Sequence, residues 1–152
     1  GVTLALDHMH SRGLIHRSLR AEGVIVSAHE QEAKLADLGL VSKFGSKGRL
    51  TGSHNAPEAC RGIEQGFAAD CWGLGIILHQ VFQGRSDVMD CRSFPPKQQP
   101  GTPSGVRRMD TRVREAMRGL LEFNPVTRWT LARLRHSKWF CESHGDKEGS
   151  AE

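Results

Sequence analysis

Several large classes of protein leave marks that this sequence does not carry. Its longest apolar run, around Ile76, is broken by His79 and Gln80, which leaves it too short for a membrane-spanning helix. Its opening residues do not follow the charged-then-apolar order of a signal segment. Aromatic residues amount to 6%, with no tyrosine among them, and they do not interleave with the scattered lysines and arginines. The net charge of +4 therefore reads as a solvated basic surface rather than a nucleic-acid-binding face. Cys60, Cys71, Cys91 and Cys141 include no C-x-x-C pair and no zinc spacing. They are expected to be free thiols in a reducing, intracellular and cytoplasmic setting. His8 and His10 lie two apart on a helical stretch and so point in different directions, as surface histidines do, rather than converging on a metal. There are no internal repeats.

What remains is a 152-residue chain, the length of one domain, with 38% apolar and 25% charged residues. Residues 2–12 read as a buried helix ended by Gly13. "VIV" at 24–26 and "AKLA" at 33–36 read as two short strands joined by a polar loop. Residues 40–55 are polar and glycine-rich and read as a long exposed loop. The strongly apolar stretch 68–83 predicts a central helix closed by Gly84. Four prolines make residues 84–109 mostly connector. Residues 110–122 and 127–136 predict two more amphipathic helices, with Val113, Met117, Leu120 and Leu121 at helical spacing in the first. The fold class is mainly α with a small β-hairpin, over a domain of 1–140 followed by a polar, disordered tail of 141–152. The chain starts with Gly in mid-pattern and is expected to be a fragment.

Five short stretches carry chemistry in a fixed order: "IHRSL" (15–19), "ADLG" (36–39), "APE" (56–58), "DCWGLG" (70–75) and "NPVTRWT" (124–130), closed by "HSKWF" (136–140). Together they resemble the C-terminal lobe of the protein kinase superfamily. The resemblance implies an α+β C-lobe with the N-lobe absent, because residue 1 already lies in the helix before the catalytic loop. It also implies ATP and Mg²⁺ as cofactors. Asp37 falls on the Asp-Phe-Gly aspartate, a metal- and phosphate-side ligand, with Leu38 and Gly39 completing that turn. Glu58 and Arg128 fall on a buried structural ion pair, and Asp70 on a helix-start residue that hydrogen-bonds the backbone near His16 and Arg17. Val24 and Ile25 fall on the strand beneath the adenine, supported by Ile77 and Val81. Arg17 falls where a phosphorylated Ser42, Ser46, Thr51 or Ser53 would dock.

The same alignment of motifs exposes departures. The catalytic-loop aspartate position holds Ser18, which is no base near neutral pH and is expected in an open loop. The lysine position holds Arg20, which keeps the charge but changes the geometry. The asparagine position, a second metal ligand, holds Gly23. Loss of a positioned base alone costs about 10²–10⁴-fold in rate. The resemblance thus implies a catalytically impaired pseudokinase lobe that works as a binding or allosteric scaffold. Its partner is another protein or the missing N-lobe, with no nucleic acid and no membrane. The alternatives are a divergent ATP-dependent Ser/Thr kinase whose N-lobe lies outside this chain, and a truncated product with no function of its own.

Overall fold

The apolar stretch at 68–83 becomes the axis around which the other elements gather. In a computed structural model, residues 1–27, 29, 32–48, 50, 54–83 and 110–144 are described. Along the chain run α1 (Val2–Ser11), β1 (Leu14–Ile15), β2 (Val24–Ser27), β3 (Glu32–Leu35), β4 (Ser42–Lys43), α2 (Pro57–Cys60), α3 (Ala68–Gln83), α4 (Thr111–Leu120), α5 (Leu131–Arg135) and α6 (Lys138–His144). The described part is mainly helical, with two antiparallel two-stranded ladders. β2 pairs with β3 from Val24–Leu35 to Ser27–Glu32, and β1 pairs with β4 through Leu14–Lys43 and Ile15–Ser42.

α3 is apolar on every side from Cys71 to Ile76, and all of those residues are buried. One side joins Cys71 and Leu74 to Leu6 of α1, Ala116 and Leu120 of α4, and Leu131 and Leu134 of α5. The other joins Trp72 and Ile76 to Ala56, Ala59 of α2 and Leu121. A helix that feeds two apolar clusters has no solvent face left in its middle, which is why its sequence shows no amphipathic stripe there. Only its last turn emerges, with Val81 and Phe82 exposed. Gly73 serves a specific contact: a Cβ there would stand 2.8 Å from the Leu19 Cβ and 2.9 Å from the Leu19 carbonyl oxygen. The missing side chain lets the segment after β1 lie directly on the helix.

Several boundaries differ from the sequence expectations. The 40–55 region is not one loop, because Ser42–Lys43 closes the ladder with β1, and α2 follows directly after it at Pro57. Helix was expected across 127–136, but α5 begins only at Leu131, where Thr130 accepts the Arg133 N–H at 3.2 Å and caps it. The polar tail was expected from 141, yet α6 continues to His144. Cys60 is disulfide-bonded, against the expectation of free thiols, whereas Cys71 and Cys141 are free. The connector at 84–109, the closing Gly84 and residues 145–152 lie outside the described residues.

α4 presses hardest where Gly119 meets the Trp129 ring: a Cβ at 119 would lie 2.3 Å from ring carbons. The contact is with a rigid indole backed by Arg133, so neither side can give way. Gly119→Ala is expected to lower stability by about 1–3 kcal/mol or more in equilibrium urea unfolding. An unchanged midpoint would contradict this packing.

Candidate functional site

The segment His16–Arg20 leaves β1 and crosses the start of α3. Its path is fixed by one side chain. Asp70, fully buried in the first turn of α3, accepts the His16 N–H on Oδ2 and the Arg17 N–H on Oδ1, both at 2.9 Å. His10 of α1 adds its Nε2 to Oδ2 at 2.8 Å and stacks on Phe67 with ring centres 4.4 Å apart. Arg17 has φ of 70°, a left-handed conformation that costs a side-chain-bearing residue about 1–3 kcal/mol and persists only where surroundings impose it. The adjacent pair of N–H bonds to Asp70 imposes it here.

From this anchor the loop reaches the end of β3. The buried His16 ring places Nε2 3.1 Å from the Ala36 carbonyl oxygen, and the Ala36 N–H donates to the Gly23 carbonyl at 2.8 Å. Asp37 follows at φ 57° and ψ 58°, again left-handed, and its Oδ2 accepts from Arg20 Nη2 at 2.6 Å. Each side chain of that pair is 42% exposed. Leu38 and Gly39 continue into an exposed single turn. Arg17 turns the other way: its Nε donates to Gln65 Oε1 at 3.1 Å, and buried Gln65 donates to the Gly48 carbonyl at 2.8 Å. Of the four hydroxyls considered for docking on Arg17, Thr51 and Ser53 lie outside the described residues.

Two expected placements come out differently. Ser18 is not in an open loop but buried, at 8% exposure. His10 is not a surface histidine but part of the Asp70 anchor. Val24 and Ile25 sit on opposite faces of β2, as strand alternation requires; Val24 is half-buried opposite Leu35, whereas Ile25 is exposed opposite Lys34. Ile77 packs into the core, while Val81 is exposed.

A second buried polar assembly lies below. Arg128 forms a two-pronged pair with Glu58 at 2.6 and 2.9 Å. Its other N–H groups reach the carbonyls of Glu122 (2.8 Å), Ala68 (2.8 Å) and Phe123 (3.2 Å), and its guanidinium lies over the Trp72 ring. All five donors of this guanidinium are used, which is the condition under which a buried charge is tolerated.

Over residues 1–140 the sequence matches the protein kinase domain family. The chain belongs to that family. It is 31% identical over 144 residues to the atypical protein kinase C of Drosophila melanogaster, covering 84% of this chain and 24% of that protein. It is 36% identical over 91 residues to the protein kinase C zeta type of Oryctolagus cuniculus, covering 56% and 15%. With the CBL-interacting serine/threonine-protein kinase 1 of Arabidopsis thaliana it shares 33% over 147 residues, covering 89% and 33%. The chain thus spans a third or less of the length of these kinases.

Set in a kinase domain, the divergent positions have a clear chemical content. By the resemblance, Asp37 and Gly23 fall at the Mg²⁺ positions. Asp37 is engaged by a guanidinium and Gly23 offers no donor side chain. Cys71, although beside Asp70, is no nucleophile: burial first, and the Asp70 charge second, push its thiol up to about 12. His54 is held below the usual histidine range by burial and then by Arg20, with Glu22 opposing. His79 in α3 is lowered by burial alone. Among the described residues, no helix is long and apolar enough to cross a membrane.

Two measurements follow from these contacts. Arg128→Ala strands the buried Glu58 carboxylate and is expected to cost about 3–5 kcal/mol in chemical denaturation. Asp70→Ala leaves buried backbone N–H groups unpaired at about 1–3 kcal/mol each, whereas Ser18→Ala, which removes one small neutral group, should be nearly neutral. A Ser18→Ala loss as large as that of Arg128→Ala would contradict the assignment of the scaffold to Asp70 and Arg128. The second measurement is of pH. Both lowered histidines bind a proton less well folded than unfolded, so below the ordinary value of 6.5 the unfolded chain takes up more protons. Stability is therefore full above that value and falls as pH falls toward the lowered folded values. Urea midpoints should drop between about pH 7 and about pH 5.5, and His79→Gln should remove part of the slope.

Proposed function

We propose that this chain is a kinase C-lobe that keeps its scaffold, lacks competent phosphotransfer and works as a binding or allosteric module. The observation that carries this reading is the contrast within one loop. The contacts that hold the loop, Asp70 to His16 and Arg17, are complete. The groups that would do chemistry on it are not: Ser18 stands at the base position, Gly23 at the second ligand position, and Arg20 lies on Asp37. Phosphoryl transfer rests on positioning and charge neutralisation, so losing a base and a ligand together removes most of the rate.

A divergent Ser/Thr kinase is the second reading, favoured by the retained Asp37 and by the kinase names of the relatives. Under it, ATP and Mg²⁺ would be the cofactors and a protein hydroxyl the acceptor. In either case the chain works with a protein partner or a complementary N-lobe. Exposed apolar side chains at Ile25, Val26 and Val81 support such a partner.

Phosphate transfer from Mg-ATP to generic protein substrates and to the chain itself separates the readings. Native protein is expected to show no transfer above that of Asp37→Ala. Turnover that Asp37→Ala abolishes would establish the enzyme and overturn the scaffold reading.

A further inference from the structure

We infer that Arg20 serves as a built-in counter-ion that keeps divalent metal off Asp37. The starting point is geometric. Arg20 Nη2 lies 2.6 Å from Asp37 Oδ2, the separation of a charge-assisted hydrogen bond at its strong end. The left-handed backbone at Asp37 sets the direction in which its side chain leaves the chain, and the knitting of Gly23 and His16 to Ala36 holds the two loops at this spacing.

Half-exposed ion pairs contribute little to stability, so the pair does not explain itself as a fold-holding contact. Its consequence lies in what it denies to other cations. A hard divalent ion needs several oxygen ligands, and Asp37 alone would have to supply the protein's share, because position 23 carries no side chain. An approaching ion must displace the guanidinium from the carboxylate and then remain near its charge. Both effects act in one direction. Position 23 is not blocked: a Cβ there would sit 3.5 Å from the Ala36 carbonyl oxygen and 3.6 Å from the Asp37 Cβ, ordinary contact distances. The metal is therefore excluded by charge at Arg20 and by a missing donor at Gly23, not by lack of space. Arg20 Nε is buried and has no partner among the described residues, so the guanidinium keeps a donor beyond the one given to Asp37. A cation held in the chain itself replaces one drawn from solution.

This inference rests on reading Asp37 as an inherited ligand position. Its test reads metal binding and not catalysis. The free-Mn²⁺ signal in electron paramagnetic resonance is titrated with native protein, Arg20→Gln, Arg20→Lys and Arg20→Gln/Asp37→Asn. Arg20→Gln should bind Mn²⁺ at least about tenfold more tightly than native protein, since it removes a unit charge at contact distance. Arg20→Lys should stay close to native, and the double variant should lose what Arg20→Gln gained. Native protein that binds Mn²⁺ as tightly as Arg20→Gln would overturn the inference, as would an Arg20→Gln variant that gains nothing, or a gain that survives Asp37→Asn. Native protein that binds Mn²⁺ as tightly as Arg20→Gln, without phosphate transfer, would defeat this inference and leave the scaffold reading standing. Phosphate transfer by a protein whose Asp37 takes no metal would do the reverse.

Discussion

One buried carboxylate holds the loop that gives this domain its character. Asp70 takes three donors from two other parts of the chain, 53, 54 and 60 residues away in sequence: the Arg17 and His16 amides and the His10 ring. A carboxylate so placed is acceptable in a core only because each charge-bearing oxygen is met. In exchange it sets the left-handed turn at Arg17, the descent of Leu19 onto Gly73, and thereby the positions of Ser18 and Arg20. The site is an outgrowth of α3, and α3 is an outgrowth of the two apolar clusters that it feeds.

Scaffold and chemistry separate by burial. Asp70, His16, Glu58 and Arg128 are between 0 and 5% exposed. Arg20 and Asp37 are each 42% exposed. Replacing a buried, fully bonded polar group costs several kcal/mol, whereas replacing a half-exposed one usually costs little. Half-exposed positions such as Arg20 and Asp37 can therefore change while the chain still folds, but the buried anchors cannot change so freely. Ser18 is the intermediate case. It is buried, and its small neutral side chain brings no charge that the core would have to meet.

The extent to which the sequence foretold this follows from the range of each signal. α3 and the β2–β3 hairpin were legible because an apolar run and a β-branched run are local patterns. β1 and β4 were not, because strands of two residues have no period to detect. α5 started late because Thr130 caps it, and a capping threonine inside an amphipathic stretch competes with the periodicity around it. His10 was misread although a signal existed: it lies four residues after the fully buried Leu6 and so shares its face. Gln65 gave no such signal, since nothing local marks a polar residue for full burial. Nor does local pattern join Glu58 to Arg128, 70 residues apart, or place Arg20 against Asp37. The first pairing was expected only through the kinase resemblance, and the second was not expected at all.

The span between Glu58 and Arg128 has a consequence for how the domain tolerates change. Their pair closes a loop of 70 residues that includes the whole connector between α3 and α4. The entropy of closing a loop rises only with the logarithm of its length, by about 0.6 kcal/mol for each doubling. A connector altered by a handful of residues shifts that cost by far less than the loss of either partner. A change of length between α3 and α4 therefore weighs little on the clamp beneath the site, whereas the loss of Glu58 or Arg128 opens it.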